Sequence, residues 1–304
     1  MTLKNKNLVC IVGPTAVGKT KLCIDIAQEL NSEIISADSR QVYQEMSIGT
    51  AKPTPEELAR VKHHFIGTHI IQDDFSAGQY EKEGLELLTE LFKNYETVIL
   101  TGGSGLYINA LLHGLSDIPE VTDGIREGLN QRLQSHGLAS ILEELEQVDP
   151  EYYAVVDKAN PHRVLRGLEV FQATGQKFSG YRVGKIVDRP FNIVKIGLER
   201  PREELYERIN KRVDIMIEMG LVDEVKKLIG FKHMQALQTV GYKEIFDYLD
   251  GDLTLEEAID LVKRNSRRYA KRQLTWFKRD DEIKWFHPDN KNDILTYIRS
   301  KSIN

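Results

Sequence analysis

Gly13-Pro14-Thr15-Ala16-Val17-Gly18-Lys19-Thr20 is the stretch of this 304-residue chain whose residue types and spacing most directly imply chemistry. Two glycines bracket a loop that ends on lysine and threonine, the arrangement in which backbone N–H groups cradle a phosphate. Lys19 adds a full positive charge, the Thr20 hydroxyl is placed to bind Mg²⁺, and a helix starting there adds partial positive charge. The chemistry requires a strand before the loop and a helix after it. Both are present, as an apolar run over 8–12 and helical spacing over 21–30. A glycine-rich turn with no ligand is the plain alternative, and the motif alone leaves open which phosphate compound is held.

A second group of reactive residues follows a short predicted strand over 33–36. Asp38, Ser39, Arg40 and Gln41 then fall at that strand's C-terminal end, the edge at which open α/β sheets do their ligand chemistry. Asp38 either faces the contents of the P-loop or caps the next turn, and spacing favours neither. A third strand, over 98–100, closes on Thr101-Gly102-Gly103-Ser104-Gly105 rather than on the acid that holds the Mg²⁺ shell in P-loop NTPases. This second glycine turn would let backbone approach a ligand closely. Arg208 and Arg212 lie one turn apart on a predicted helix over 201–229, a spacing suited to a diphosphate or to a harmless solvated pair. His63-His64, read as helical, points its rings about 100° apart and makes a poor chelating pair.

These residues must be positioned by a larger frame. Further strands are predicted over 191–198 and 283–286, and helices after the caps Thr54 and Ser76, the latter with Leu85, Leu88, Leu91 and Phe92 as its apolar face. Strand signals vanish between 121 and 185, where 125–133, 138–145 and 161–173 carry helical spacing. The fold class expected is α/β: a P-loop NTPase-like parallel sheet flanked by helices, over 1–120 and 186–304, with an all-helical insertion over 121–185. Asn160 and Pro161 start the insertion's third helix, which carries Arg163 and Arg166 on one side.

The net charge of −5 conceals a local asymmetry. Between 263 and 279 stand eight Lys or Arg and no acid, with basic pairs at 263/264, 267/268 and 271/272 recurring every four residues along one helix face. Leu261, Val262, Tyr269, Leu274 and Phe277 supply the packing face. An acid-free basic stripe is the electrostatic footprint expected for contact with a nucleic-acid backbone. Cys10 and Cys23 read as small buried hydrophobes. No apolar stretch reaches membrane-spanning length and no secretory segment opens the chain, so a cytoplasmic location is expected.

Seven segments in register carry a resemblance: 13–20, 36–43, Ile48-Gly49-Thr50-Ala51-Lys52-Pro53, 102–107, Asn160-Pro161-His162-Arg163-Val164-Leu165-Arg166, Val240-Gly241-Tyr242-Lys243-Glu244 and 271–278. Together they resemble the tRNA dimethylallyltransferase (tRNA isopentenyltransferase) family over nearly the whole chain. The resemblance implies transfer of a dimethylallyl group from dimethylallyl diphosphate to N6 of the adenosine at tRNA position 37, beside the anticodon. It implies a P-loop that holds the prenyl diphosphate and Mg²⁺ rather than ATP, and Asp38 as general base. Lys19 and Thr20 would complete the catalytic set, with Arg208 or Arg212 on the diphosphate. Segments matched to tRNA contact are Asp38 to Gln41, His162 to Arg166, the run Gln238, Thr239, Val240, Gly241, Tyr242, Lys243, and the run Lys271, Arg272, Gln273, Leu274, Thr275, Trp276, Phe277, Lys278. Ser104 and Arg126 match single tRNA-contact positions, and a monomer is expected. The competing readings are an isopentenyltransferase acting on a free adenylate, a P-loop metabolite kinase or NTPase, and a non-catalytic RNA-binding protein. The basic helix and the insertion argue for a macromolecular acceptor, and Asp38 beside Lys19-Thr20 for catalysis.

Overall fold

The computed structural model of the protein describes residues 3–73, 75–115, 123–181 and 187–302. The expected limits of the insertion, 120/121 and 185/186, lie outside those residues, as does Asp74.

Strand β1 (Asn7–Val12) is buried along its whole length, and its alternate side chains enter two different cores. Leu8, Cys10 and Val12 face one; Val9 and Ile11 face the other. A continuous apolar run is what a parallel strand covered on both faces requires. The other strands are β2 (Ile34–Ala37), β3 (His63–His64), β4 (Thr97–Gly102), β5 (Asn192–Leu198) and β6 (Lys284–Phe286). They form one sheet in the order β3-β2-β4-β1-β5-β6, and every pairing is parallel.

The helices that cover the sheet follow from the sequence. On one face lie α1 (Lys19–Glu29), burying Leu22, Cys23, Ile24 and Ile26, together with α9 (Arg202–Glu218) and α13 (Lys291–Lys301). On the other lie α3 (Ala77–Asn94), capped by Ser76 as expected, α4 (Gly105–His113), α10 (Leu221–Lys227) and α11 (Lys243–Leu249). Helix α2 (Pro55–Arg60) starts in a capping box of Thr54 and Glu57. Helix α12 (Leu255–Phe277) contributes Ala270 to one core and Ala258 and Phe277 to the other. Both cysteines are buried, and burial pushes their thiols up to about 12 and 11, so they stay protonated and inert.

Two expectations about elements are corrected. His63 and His64 form an edge strand beside β2, not a helix, and His64 Nε2 sits 2.6 Å from Glu33 Oε2. The single helix expected over 201–229 is two, α9 and α10, broken at Gly220, whose φ of 95° ends the first and caps the second.

The chain packs as two compact units, 1–112 with 189–304, and 113–188. The second is helical: α5 (Asp123–Val148), bent at Gly137 (φ 74°), α6 (Pro150–Val155), α7 (Pro161–Thr174) and α8 (Phe178–Tyr181). Its own core joins Leu129, Ile141, Leu145, Tyr152, Val164 and Leu168. No helix among the described residues is long and apolar enough to cross a membrane.

Candidate active site

The C-terminal ends of β1, β2, β4 and β5 bring the candidate residues of the first unit to one sheet edge. The P-loop leaves β1 and enters α1 through Gly18, whose φ of 113° suits glycine. Within the loop Ala16 is held at φ 63°, a left-handed conformation that a non-glycine residue keeps only when its surroundings fix it. They do. Arg208 Nε donates to the Ala16 carbonyl at 2.9 Å, and Arg200 Nε to the Val17 carbonyl at 2.9 Å. Arg212 reaches the Thr15 hydroxyl at 3.2 Å, and the Gln273 side-chain oxygen accepts the Thr15 N–H at 2.8 Å. Lys19 Nζ donates to the carbonyls of Gly13 and Pro14, each at 2.8 Å.

The electrostatics follow from that crowding. Burial, and then the neighbouring Arg212, lower the Lys19 pKa to about 8, while Asp38 pulls it the other way. Burial also lowers the Arg212 pKa, again with Asp38 opposing. Asp38 therefore lies within electrostatic reach of both cations. It also caps its own turn, since Oδ1 accepts the N–H groups of Arg40 (2.9 Å) and Gln41 (3.2 Å). The two readings of Asp38 are compatible, because a carboxylate has a second oxygen. That oxygen accepts no hydrogen bond among the described residues.

The fit for Mg²⁺ rests on the donor set. The Thr20 hydroxyl makes no hydrogen bond among the described residues, and three or more His, Cys, Asp or Glu never gather there into a metal cage. Mg²⁺ is commonly held by one or two protein oxygens, with substrate phosphate and water completing its shell, and Thr20 at the first turn of α1 suits that role.

The second glycine turn works differently from the expectation. A Cβ on Gly102 would fall 2.1 Å from the Ala37 carbonyl oxygen, one on Gly103 2.3 Å from Gln273 Nε2, and one on Gly105 2.2 Å from Trp276 Nε1. The bodies that approach this backbone belong to the protein. Ser104 binds the β2 end, accepting the Ser39 N–H at 2.9 Å.

Other segments matched to RNA contact are organised by residues the sequence did not single out. Glu224 accepts the N–H groups of Ser47 (3.1 Å), Ile48 (2.7 Å) and Gly49 (3.0 Å), and the Tyr242 hydroxyl at 2.6 Å. The loop it clamps returns Thr50 and Ala51 carbonyls to Gln41 Nε2. Lys52 is turned inward on the Tyr43 and Gln44 carbonyls. Gln238 and Lys243 are exposed; Thr239 and Val240 are half-buried; Gly241 and Tyr242 are buried and shape the segment. Glu244, buried, fixes the Gly241 N–H (2.8 Å) and Asn265 (2.7 Å).

On α12 the stripe is partly neutralised by acids from elsewhere. Lys263 pairs with Asp214 at 2.6 Å, Lys278 with Glu199 at 2.9 Å, and Arg267 donates to Asn210 at 2.6 Å. Arg264, Arg268, Lys271, Arg272, Thr275 and Lys278 are exposed, Leu274 and Trp276 half-buried, and Gln273 and Phe277 buried. Tyr269, expected on the packing face, is 37% exposed.

Within the second unit His162 and Arg163 are exposed, while Val164 and Leu165 belong to its core. Buried Glu169 gathers Arg126 (3.1 Å) and Arg166 (3.2 Å). Arg200 was missed although it follows β5 at the ligand edge, where the rule of strand ends could have found it. Glu224 gave no signal, being one acid on an ordinary amphipathic helix.

A family model described as IPP transferase matches residues 41–280. The tRNA dimethylallyltransferase 1 of Phocaeicola vulgatus is 51% identical over 293 residues, which cover 96% of this chain and 98% of that one. Among solved structures, the full-length tRNA isopentenylpyrophosphate transferase of Bacillus halodurans is 44% identical with a TM-score of 0.72, covering 98% of this chain and 97% of its own. A eukaryotic dimethylallyltransferase captured acting on tRNA has a TM-score of 0.80 at 26% identity, covering 98% of this chain and 78% of its own.

Proposed function

The chain belongs to the IPP transferase family, and from that premise we propose that it moves a dimethylallyl group from dimethylallyl diphosphate to N6 of an adenosine beside the tRNA anticodon. The observation that carries the chemical reading is Asp38 directly after β2, at the same sheet edge as the P-loop, with one carboxylate oxygen held by the Arg40 and Gln41 N–H groups and with an electrostatic pull on both Lys19 and Arg212. An exocyclic adenine amine is a weak nucleophile, because its lone pair is delocalised into the ring. Progress needs two things, a stabilised leaving group and a base for the N–H proton.

The P-loop N–H groups and the N-terminus of α1 hold the diphosphate, and Lys19, Arg208 and Arg212 neutralise the charge that grows on it as the allylic C–O bond breaks. The Thr20 hydroxyl would hold Mg²⁺, which would supply further charge neutralisation. As the N6–C bond forms, the proton passes to Asp38 and from there to solvent. Positioned general bases contribute on the order of 10²–10⁴ in rate. The base must leave its stack to reach the site, at a cost of a few kcal/mol, which contacts from the exposed cations of α12 to RNA phosphates offset. The same reading takes the protein as a cytoplasmic monomer.

Incubating the protein with Mg²⁺, unmodified tRNA and labelled dimethylallyl diphosphate, with ATP as a parallel donor, tests this directly. Label should enter the tRNA as N6-isopentenyladenosine. Brisk ATP consumption with no five-carbon unit on the RNA refutes it.

A further inference from the structure

Gln273 lies on the basic helix α12, yet its side chain turns away from solvent and is only 6% exposed. Its amide oxygen accepts the Thr15 N–H of the P-loop at 2.8 Å, and its amide nitrogen donates to the Gly103 carbonyl of the β4–α4 turn at 3.0 Å. Room for this reach exists because Gly103 has no side chain; a Cβ there would sit 2.3 Å from the amide nitrogen. One turn further on, Trp276 lies equally close over Gly105. The next residues back, Lys271 and Arg272, are exposed on the same helix. Thr15 is gripped a second time, through its hydroxyl, by Arg212 of α9.

The geometry leaves little slack. The amide holds an acceptor oxygen and a two-proton donor nitrogen in one rigid plane; the oxygen takes the Thr15 N–H, and the nitrogen serves the Gly103 carbonyl and the Tyr269 hydroxyl on its own helix. A shift of α12 by several tenths of an ångström stretches one bond or drags the P-loop with it.

We propose that Gln273 is a positioning residue that couples the donor loop to the helix that meets RNA, so that RNA seated on α12 sets the P-loop in its diphosphate-gripping form. This rests on the prenyl-transfer reading, in which the P-loop takes the diphosphate and α12 the RNA. Coupled sites in proteins commonly change each other's affinity by five-fold or more.

Gln273→Met in the complete chain keeps length and volume and removes the hydrogen bonds to Thr15 and Gly103, along with the one to Tyr269 within α12. Dimethylallyl diphosphate affinity is measured by calorimetry with and without an anticodon stem-loop RNA, and RNA affinity separately. In the parent protein RNA should tighten donor binding at least about five-fold. In Gln273→Met, measured well below its melting temperature and at saturating RNA, that ratio should fall below about two-fold, a pattern that a loss of stability does not produce. Gln273→Glu keeps an acceptor for Thr15 and loses the donor to Gly103; its ratio should lie between the two, and it carries the test if Gln273→Met does not fold. A parent ratio of one, or a parent-like ratio in both variants, overturns the proposal. A parent protein that binds both ligands yet never prenylates the RNA defeats the underlying reading instead, and the proposal with it.

Discussion

Lys19 should make diphosphate binding a proton-uptake reaction near pH 8. In the ligand-free protein its ammonium is buried against Arg212, which lowers its pKa to about 8. A bound diphosphate places negative charge beside it and restores a pKa near the ordinary value of about 10.4. Between those values the complex holds one more proton than the free protein, so affinity must fall as pH rises through 8. The bound proton deficit of free Lys19 is about 0.1 at pH 7, 0.5 at pH 8 and 0.9 at pH 9 for a single group titrating at 8. Donor affinity should accordingly drop about ten-fold between pH 7 and pH 9, equivalent to about 1.4 kcal/mol. Calorimetry at pH 8 in two buffers of different ionisation enthalpy reads the uptake, expected at about half a proton per site. Lys19→Met should bind weakly and abolish it. No uptake in the parent protein, or the same uptake in Lys19→Met, refutes the reasoning. The same shift has a stability consequence of opposite sign. A buried Lys with a lowered pKa favours the unfolded chain at neutral pH, so the ligand-free fold should gain stability as pH rises from 8 towards 10.5.

Asp38→Asn keeps the oxygen that caps Arg40 and Gln41 and removes the basicity together with the charge facing Lys19 and Arg212, so turnover should fall by about 10²–10⁴; an unchanged rate takes the proton elsewhere. Replacing Arg268, Lys271 and Arg272 by Gln should flatten the dependence of log affinity for tRNA on log salt by about two to three in slope, read by filter binding, and an unaltered slope places the RNA on another surface. Gly102→Ala forces a methyl to 2.1 Å from the Ala37 carbonyl and should cost about 3 kcal/mol, seen as a lowered melting temperature; a parent-like melt shows that β2 and β4 can separate freely there.

Much of the frame was legible because it is local. The run before the P-loop, the helix after it, the caps at Thr54 and Ser76 and the buried cysteines depend on neighbours a few residues away. What was misread depends on partners far along the chain. His63 and His64 become strand only because β2 lies beside them. The turn at 102–105 looked ready for a ligand, since glycine spacing does not say which body fills the room, and here Ala37, Gln273 and Trp276 fill it. The apolar spacing of 201–229 runs on past Gly220, but the φ of 95° there needs the packing of both helices. The acids missing from 263–279 come from Asp214 and Glu199, which no window on α12 includes.

The cations around the P-loop differ in the charge of their partners. Arg200 reaches the P-loop, but it is also paired with Glu204 and Asp289, which largely cancel its charge. Arg208, Arg212 and Lys19 rest instead on carbonyls and a hydroxyl of the loop itself. Neutral acceptors satisfy the donor geometry and leave the net positive charge in place. Asp38 partly balances Lys19 and, with Glu57, Arg212, and it forms no ion pair among the described residues. The sequence left Arg208 and Arg212 as alternatives for the diphosphate. Their contacts differ: exposed Arg208 donates to the strained Ala16 carbonyl, and half-buried Arg212 reaches the Thr15 hydroxyl. On α12 the same comparison separates Lys263 and Lys278, paired with Asp214 and Glu199, from exposed Arg264, Arg268, Lys271 and Arg272, which no described acid pairs.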